Sequence, residues 1–170
     1  MGKKAKKGLT KLKIWQLIVI LIAVVFGTML FIFLVGMQEG KMVLSLDAEY
    51  YCKDECDGEY MELDGEEYEG LTSAGKSFVV FVDQGGCTTA DRMRDYVKKY
   101  AQEKGIEVYK IMFADMKETS LHDKVKYYPS VAMIKKGKVL TFLRADSDDD
   151  AIYYNDYDEF KKWMDNYLIE

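Results

Sequence analysis

Proline and histidine are nearly missing from this chain: among 170 residues there is one of each, Pro129 and His122. A lone histidine leaves no basis for a multi-histidine metal site. Its only thiol companions, Cys52, Cys56 and Cys87, stand at spacings that fit no zinc motif. No phosphate-cradling glycine loop, serine triad or glycosidase carboxylate pair can be argued. No internal repeat is visible, and the only low-complexity tract is a lysine tail. The segment Asp146-Ser147-Asp148-Asp149-Asp150 begins like a calcium loop. It then has Ala151 where the turn needs glycine and Tyr157 where it needs a glutamate, so it reads as a solvated loop. No metal and no cofactor are expected.

Charge is missing altogether from Ile14 to Met37, 24 residues that include LIVILIAVVF and MLFIFLVG. Roughly 20 apolar residues cross the hydrocarbon core of a bilayer, so this run is long enough to span one. It lacks the polar stripe of a soluble helix and the short core and cleavage site of a signal peptide. Ahead of it, residues 1–13 carry six lysines and no acid. That excess places the N-terminus in the cytoplasm and the rest of the chain outside the cell membrane, on a single-pass helix. The expected divisions are a basic tail (1–13), an anchor (14–37), an acidic juxtamembrane segment (38–59) and a folded domain (60–170).

Basic residues are scarce beyond the anchor. Seven of the 24 precede Val43, as does one of the 29 acidic residues, leaving 17 against 28 and a formal charge of −11. Such an exterior repels nucleic-acid phosphates and anionic headgroups. It favours basic or neutral clients, although solubility alone also accounts for it. The tyrosines at 50, 51, 60, 68, 153, 154 and 157 read chiefly as strand and loop packing.

Three cysteines in an exterior compartment leave at least one thiol unpaired within a monomer. Cys52 and Cys56 are four apart, a spacing that puts both on one face of a helical turn. Pairing those two frees Cys87; pairing Cys87 with either would supply it with a resolving partner. Both pairings stand at this level.

The periodicities are legible from Tyr60 onward. Tyr60–Leu63 suits a first strand leading into a short helix, or one arm of a hairpin. Phe78–Asp83 is a buried-strand pattern, and Thr88–Lys104 a helix stopped by Gly105. Ile106–Ala114 alternates as a strand, and Lys117–Tyr127 reads as a short helix halted by Pro129. Ser130–Arg144 is a hairpin turning at Lys136-Gly137, and Tyr157–Leu168 is an amphipathic helix with Phe160, Trp163, Met164 and Tyr167 on one face.

A cysteine at a strand–helix junction, followed some forty residues later by a proline opening a hairpin, resembles the thioredoxin-like family, and extracytoplasmic bacterial members in particular. The resemblance covers Phe78–Leu168 and implies an α/β, three-layer fold around a central mixed sheet, here preceded by one transmembrane helix. It implies a cis Tyr128–Pro129 peptide beside the Cys87 thiol. Gly86, Thr88, Thr89, Tyr128, Pro129 and Ser130 would then contact a client peptide. The chain departs from the redox-active pattern. Cys87-Thr88-Thr89-Ala90 lacks the second cysteine, Gly86 replaces an aromatic residue, and Phe81 stands where a buried aspartate is common. Asp83, nearer the strand end, is expected to be exposed.

Helix-terminal amides and the threonine hydroxyls would favour a Cys87 thiolate, while Asp91 would oppose it. Two functions are consistent with this pattern. One is monothiol thiol–disulfide chemistry on exported or membrane proteins; the other is a redox-inactive binding or accessory module for such a partner.

Overall fold

The computed structural model describes residues 15, 16, 18–29, 43–52 and 56–168. Of the expected span, Trp15, Gln16 and residues 18–29 are helical, with apolar side chains such as Leu21, Val24 and Phe26 exposed. Among the described residues no helix is long and apolar enough to cross a membrane. The remainder of the 14–37 run and all of the lysine tail lie outside the described residues.

The second unit begins at Met42. Its strands are β1 (Tyr60–Leu63), β2 (Phe78–Asp83), β3 (Val108–Met112), β4 (Ser130–Lys135) and β5 (Lys138–Phe142). They form one sheet in the order β1-β3-β2-β4-β5. β1 and β2 both run parallel to β3, whereas β4 is antiparallel to β2 and to β5. The helices are α1 (Gly65–Ser73), α2 (Thr88–Lys104), α3 (Phe113–Met116), α4 (Ala151–Asn155) and α5 (Tyr157–Tyr167).

The sequence of β2, FVVFVD, has no polar face because both faces of the strand are covered; all six residues are buried. On one face Phe78 meets the rings of Tyr50, Tyr68 and Tyr109, bringing the 3₁₀ turn Ala48–Tyr50 and α1 against the sheet. On the other Phe81 stacks on Tyr60, whose hydroxyl donates to the Arg94 carbonyl of α2 at 2.7 Å. The helix buries Ala90, Met93, Val97, Tyr100 and Ala101, a 3.6-residue stripe. α5 lies beside it, with Phe160 against Tyr96 and Tyr100. Burying a side chain such as Phe160 contributes about 2 kcal/mol. The result is an α/β, thioredoxin-like fold with a mixed five-stranded sheet between helical layers.

Several expectations shift. The alternatives after Tyr60–Leu63 resolve in favour of a helix. The Asp64 carboxylate accepts the Glu67 amide, and Glu67 reaches back to the Asp64 amide, which starts α1 instead of turning a hairpin. Lys117–Tyr127 is not a helix. Helix forms earlier, over Phe113–Met116, and a 3₁₀ turn follows at Ser120–Asp123. That tighter turn buries Leu121, and Val125 is buried just beyond it, so a regular helix over Lys117–Tyr127 is not needed to place them. The acidic loop contains a single helical turn, α4, too short to show a period.

Residues 43–52, expected in a juxtamembrane segment, pack into the domain. Leu44, Leu46 and Tyr50 are buried, the Leu44 amide donates to the Tyr167 carbonyl, and Tyr51 bridges to Ile106. The three apolar side chains have core to bury, so the acidic neighbours do not keep the segment in solvent.

Candidate functional site: a thiol cleft at the N-terminus of α2

After β2 the chain turns through Gly85 and Gly86 and enters α2 at Cys87. Gly86 has φ +76°, a left-handed conformation that a Cβ would disfavour. Cys87 is the N-cap residue in extended geometry, half-buried, and the free cysteine of the described residues. Its thiol makes no capping hydrogen bond of standard geometry. The amide of Ala90, then that of Thr89, nevertheless stabilise the ionised sulfur and hold the Cys87 pKa below the usual thiol value. Partial burial opposes them, the Thr89 hydroxyl assists, and the Asp91 carboxylate pushes back. The threonine contribution expected from both residues thus comes from Thr89.

Facing the thiol is the proline loop. The Tyr128–Pro129 peptide is cis, as the resemblance implies. The Tyr128 ring packs on Phe113 at 4.3 Å, and its hydroxyl donates to the Val125 carbonyl at 3.2 Å. Nδ1 of His122 lies 3.1 Å from the same hydroxyl, so the single histidine supports this loop. Among the described residues no group of three or more histidines, cysteines or carboxylates is placed to hold a metal ion.

Cys87, Thr89, Tyr128 and Pro129 share an open cleft of about 270 Å³, walled on its far side by Ala145, Ala151, Tyr154 and Asn155. Three residues expected as client contacts do not line it. Gly86 and Thr88 are exposed outside it, and Ser130 is fully buried with its hydroxyl donating to the Leu143 carbonyl at 2.7 Å. Ser130 is the first residue of β4 and pairs with Val82, and its side chain is covered where it leaves the sheet. The α4 wall escapes sequence reading because DSDDD carries the mark of a loop and the apolar run that follows, Ala151 to Tyr154, is too short to show a period.

Asp83, expected to be exposed, is a correction. Its side chain is 4 % exposed, because Arg94 reaches back from α2 and donates from Nε and Nη2 to both carboxylate oxygens at 2.9–3.1 Å. Nη1 of Arg94 meanwhile donates to Asp91 at 2.9 Å. One guanidinium thus ties the end of β2 to the first turns of α2, beneath the Cys87 loop.

Cys52 and Cys56 form a disulfide, with Cα atoms 5.8 Å apart. The Cys52 amide donates to the Gly105 carbonyl, just beyond the C-terminus of α2. Seventeen helical residues separate that point from Cys87, about 25 Å at 1.5 Å per residue. Pairing Cys87 with either upstream cysteine is therefore incompatible with this fold.

No family model matches the chain, and no curated protein does. Among solved structures it is similar to a mutant thioredoxin from Halobacterium salinarum NRC-1, at 18 % identity over 67 % of this chain and 95 % of that one, with a TM-score of 0.48. It is also similar to mitochondrial thioredoxin 3 from Saccharomyces cerevisiae, at 13 % identity over 63 % and 94 % and TM-score 0.48. Thioredoxin F from spinach chloroplast aligns at 13 % identity over 64 % and 86 %, with TM-score 0.48. At that level of overlap it is the chain's own strand order that carries the fold.

Proposed function

We propose that this is a membrane-tethered, extracytoplasmic protein that performs monothiol thiol–disulfide exchange through Cys87 on exported or membrane clients. The observation that supports this reading most is the placement of a free thiol with a lowered pKa at the mouth of α2, across an open cleft from Pro129. In the exchange, the Cys87 thiolate attacks one sulfur of a client disulfide. A Cys87–client disulfide forms, the client S–S bond breaks, and the second client sulfur leaves as thiolate. A thiol from another molecule then attacks the mixed disulfide and releases Cys87, since the Cys52–Cys56 sulfurs lie at the far end of α2. Thr89, Tyr128 and Pro129 are the contacts for an extended client segment. The tether rests on the 24 uncharged residues from Ile14 to Met37 and the lysines before them.

The same distance between sulfurs favours a second reading, in which the cleft holds a partner without turnover. Differential alkylation of the full chain in membranes separates the two. Exchange predicts that Cys87 labels rapidly without reductant, that Cys52 and Cys56 label only after reduction, and that a peptide disulfide is captured on Cys87. A Cys87 that labels slowly and captures no peptide disulfide, in a chain that still binds its partner, would establish the binding module instead.

A further inference from the structure

The turn α4, between β5 and α5, is bonded to the thiol site from two directions despite its short length. The Tyr154 hydroxyl donates to the Pro129 carbonyl at 2.9 Å in a buried setting. Burial, with the carboxylates of Asp150 and Asp146 nearby, raises the Tyr154 pKa and keeps that hydroxyl protonated as a donor. From α2, Nη1 of Arg92 donates to the Tyr154 carbonyl at 3.2 Å and to Oδ1 of Asn155 at 2.6 Å. Asn155 closes the turn by donating to the Ala151 carbonyl at 2.8 Å. One helical turn thus joins both walls of the cleft: the proline loop through Tyr154, and the helix that carries Cys87 through Arg92.

We infer that Tyr154 is a positioning residue for the Cys87 site, with Arg92 and Asn155 as its clamp, and that it sets how an extended peptide disulfide is held against the thiol. This rests on the reading of Cys87 as the exchanging group. The hydroxyl of Tyr128, on the cleft's other wall, does not reach α2, because it is tied to Val125. A peptide laid along Tyr128 and Pro129 meets a wall whose distance from Cys87 is fixed by the Tyr154 hydrogen bond on one side and the Arg92 bonds on the other. A small alkylating reagent needs none of this, since it approaches the sulfur directly from the open mouth.

The test compares two reactions of Cys87 in the full chain: alkylation by iodoacetamide, and exchange with an unstructured peptide disulfide at varied concentration. Tyr154→Phe removes the hydroxyl and keeps the ring. Losing one hydrogen bond of this kind lowers the second-order exchange rate about three- to tenfold. The loss should lie in the peptide concentration at half-saturation and not in the limiting rate, with alkylation unchanged. Arg92→Met, at an exposed position, acts in the same direction without touching the core, and Arg92→Lys recovers part of the loss. Equal exchange by wild type and both variants overturns the inference, as does a parallel fall in alkylation and exchange, which marks a structural role only. A wild-type chain that alkylates but never exchanges overturns the thiol-exchange reading itself, and this inference with it.

Discussion

At its N-terminal end α2 presents a free thiol, a glycine turn and an open cleft; at its C-terminal end it meets a closed disulfide whose Cys52 amide occupies the Gly105 carbonyl. The helix explains why the two sulfur states are distributed this way. Unpaired amides and the positive end of the macrodipole favour a thiolate at Cys87. The carbonyls at the other end would raise the cost of the same charge, and a disulfide there carries none. Gly105, at φ +63°, ends the helix in the left-handed conformation that lets the chain turn back to pair with the Tyr50–Cys52 segment. One end of α2 carries a free thiol and the other meets a closed bridge.

Cys87→Ser is the severest way to break that contrast. It should abolish capture of a peptide disulfide, read by mass spectrometry, with the fold intact; a variant that still trades disulfides at the wild-type rate would transfer the chemistry to the far end. Asp83→Asn tests the bracing beneath the reactive end. Removing the charge that Arg94 grips costs about 2 kcal/mol of stability in urea unfolding, toward the lower side for a buried pair because Arg94 is partly exposed.

The double change Cys52→Ser and Cys56→Ser tests the closed end. A loop with a separation of four residues contributes about 2 kcal/mol through the unfolded state, and Cys87 alkylation should be unaffected. The smallest effect is in the pH profile of Cys87. Its lowered pKa places the midpoint of alkylation below that of a free thiol. Asp91→Asn should move the midpoint further down, because that carboxylate opposes ionisation. The sign for stability follows: a depressed folded pKa favours the native state above the unfolded thiol's pKa, and this contribution is lost as pH falls through the folded value.

Legibility varies along the chain with the length of the pattern. α2 begins and ends where its period, Cys87 and Gly105 place it, and the Ser130–Arg144 hairpin turns at Lys136-Gly137 as expected. The cysteine and proline that carry the family resemblance do meet at one cleft. Asp83 defeats a local reading because its burial depends on an arginine eleven residues away, a contact no short window contains. Residues 43–52 defeat it for a related reason: three apolar side chains among acids look solvated until a core surface is available to take them.

By itself the sequence determined most of the periodic elements, a cysteine at a helix start and the uncharged N-terminal run, since each depends on neighbours within a few turns or on composition. Tertiary structure alone decided which cysteines pair, that Ser130 faces inward, and that Tyr154 reaches the Pro129 carbonyl. Those outcomes depend on distances between residues remote in sequence, and such distances are set only when the sheet and its two helical layers pack.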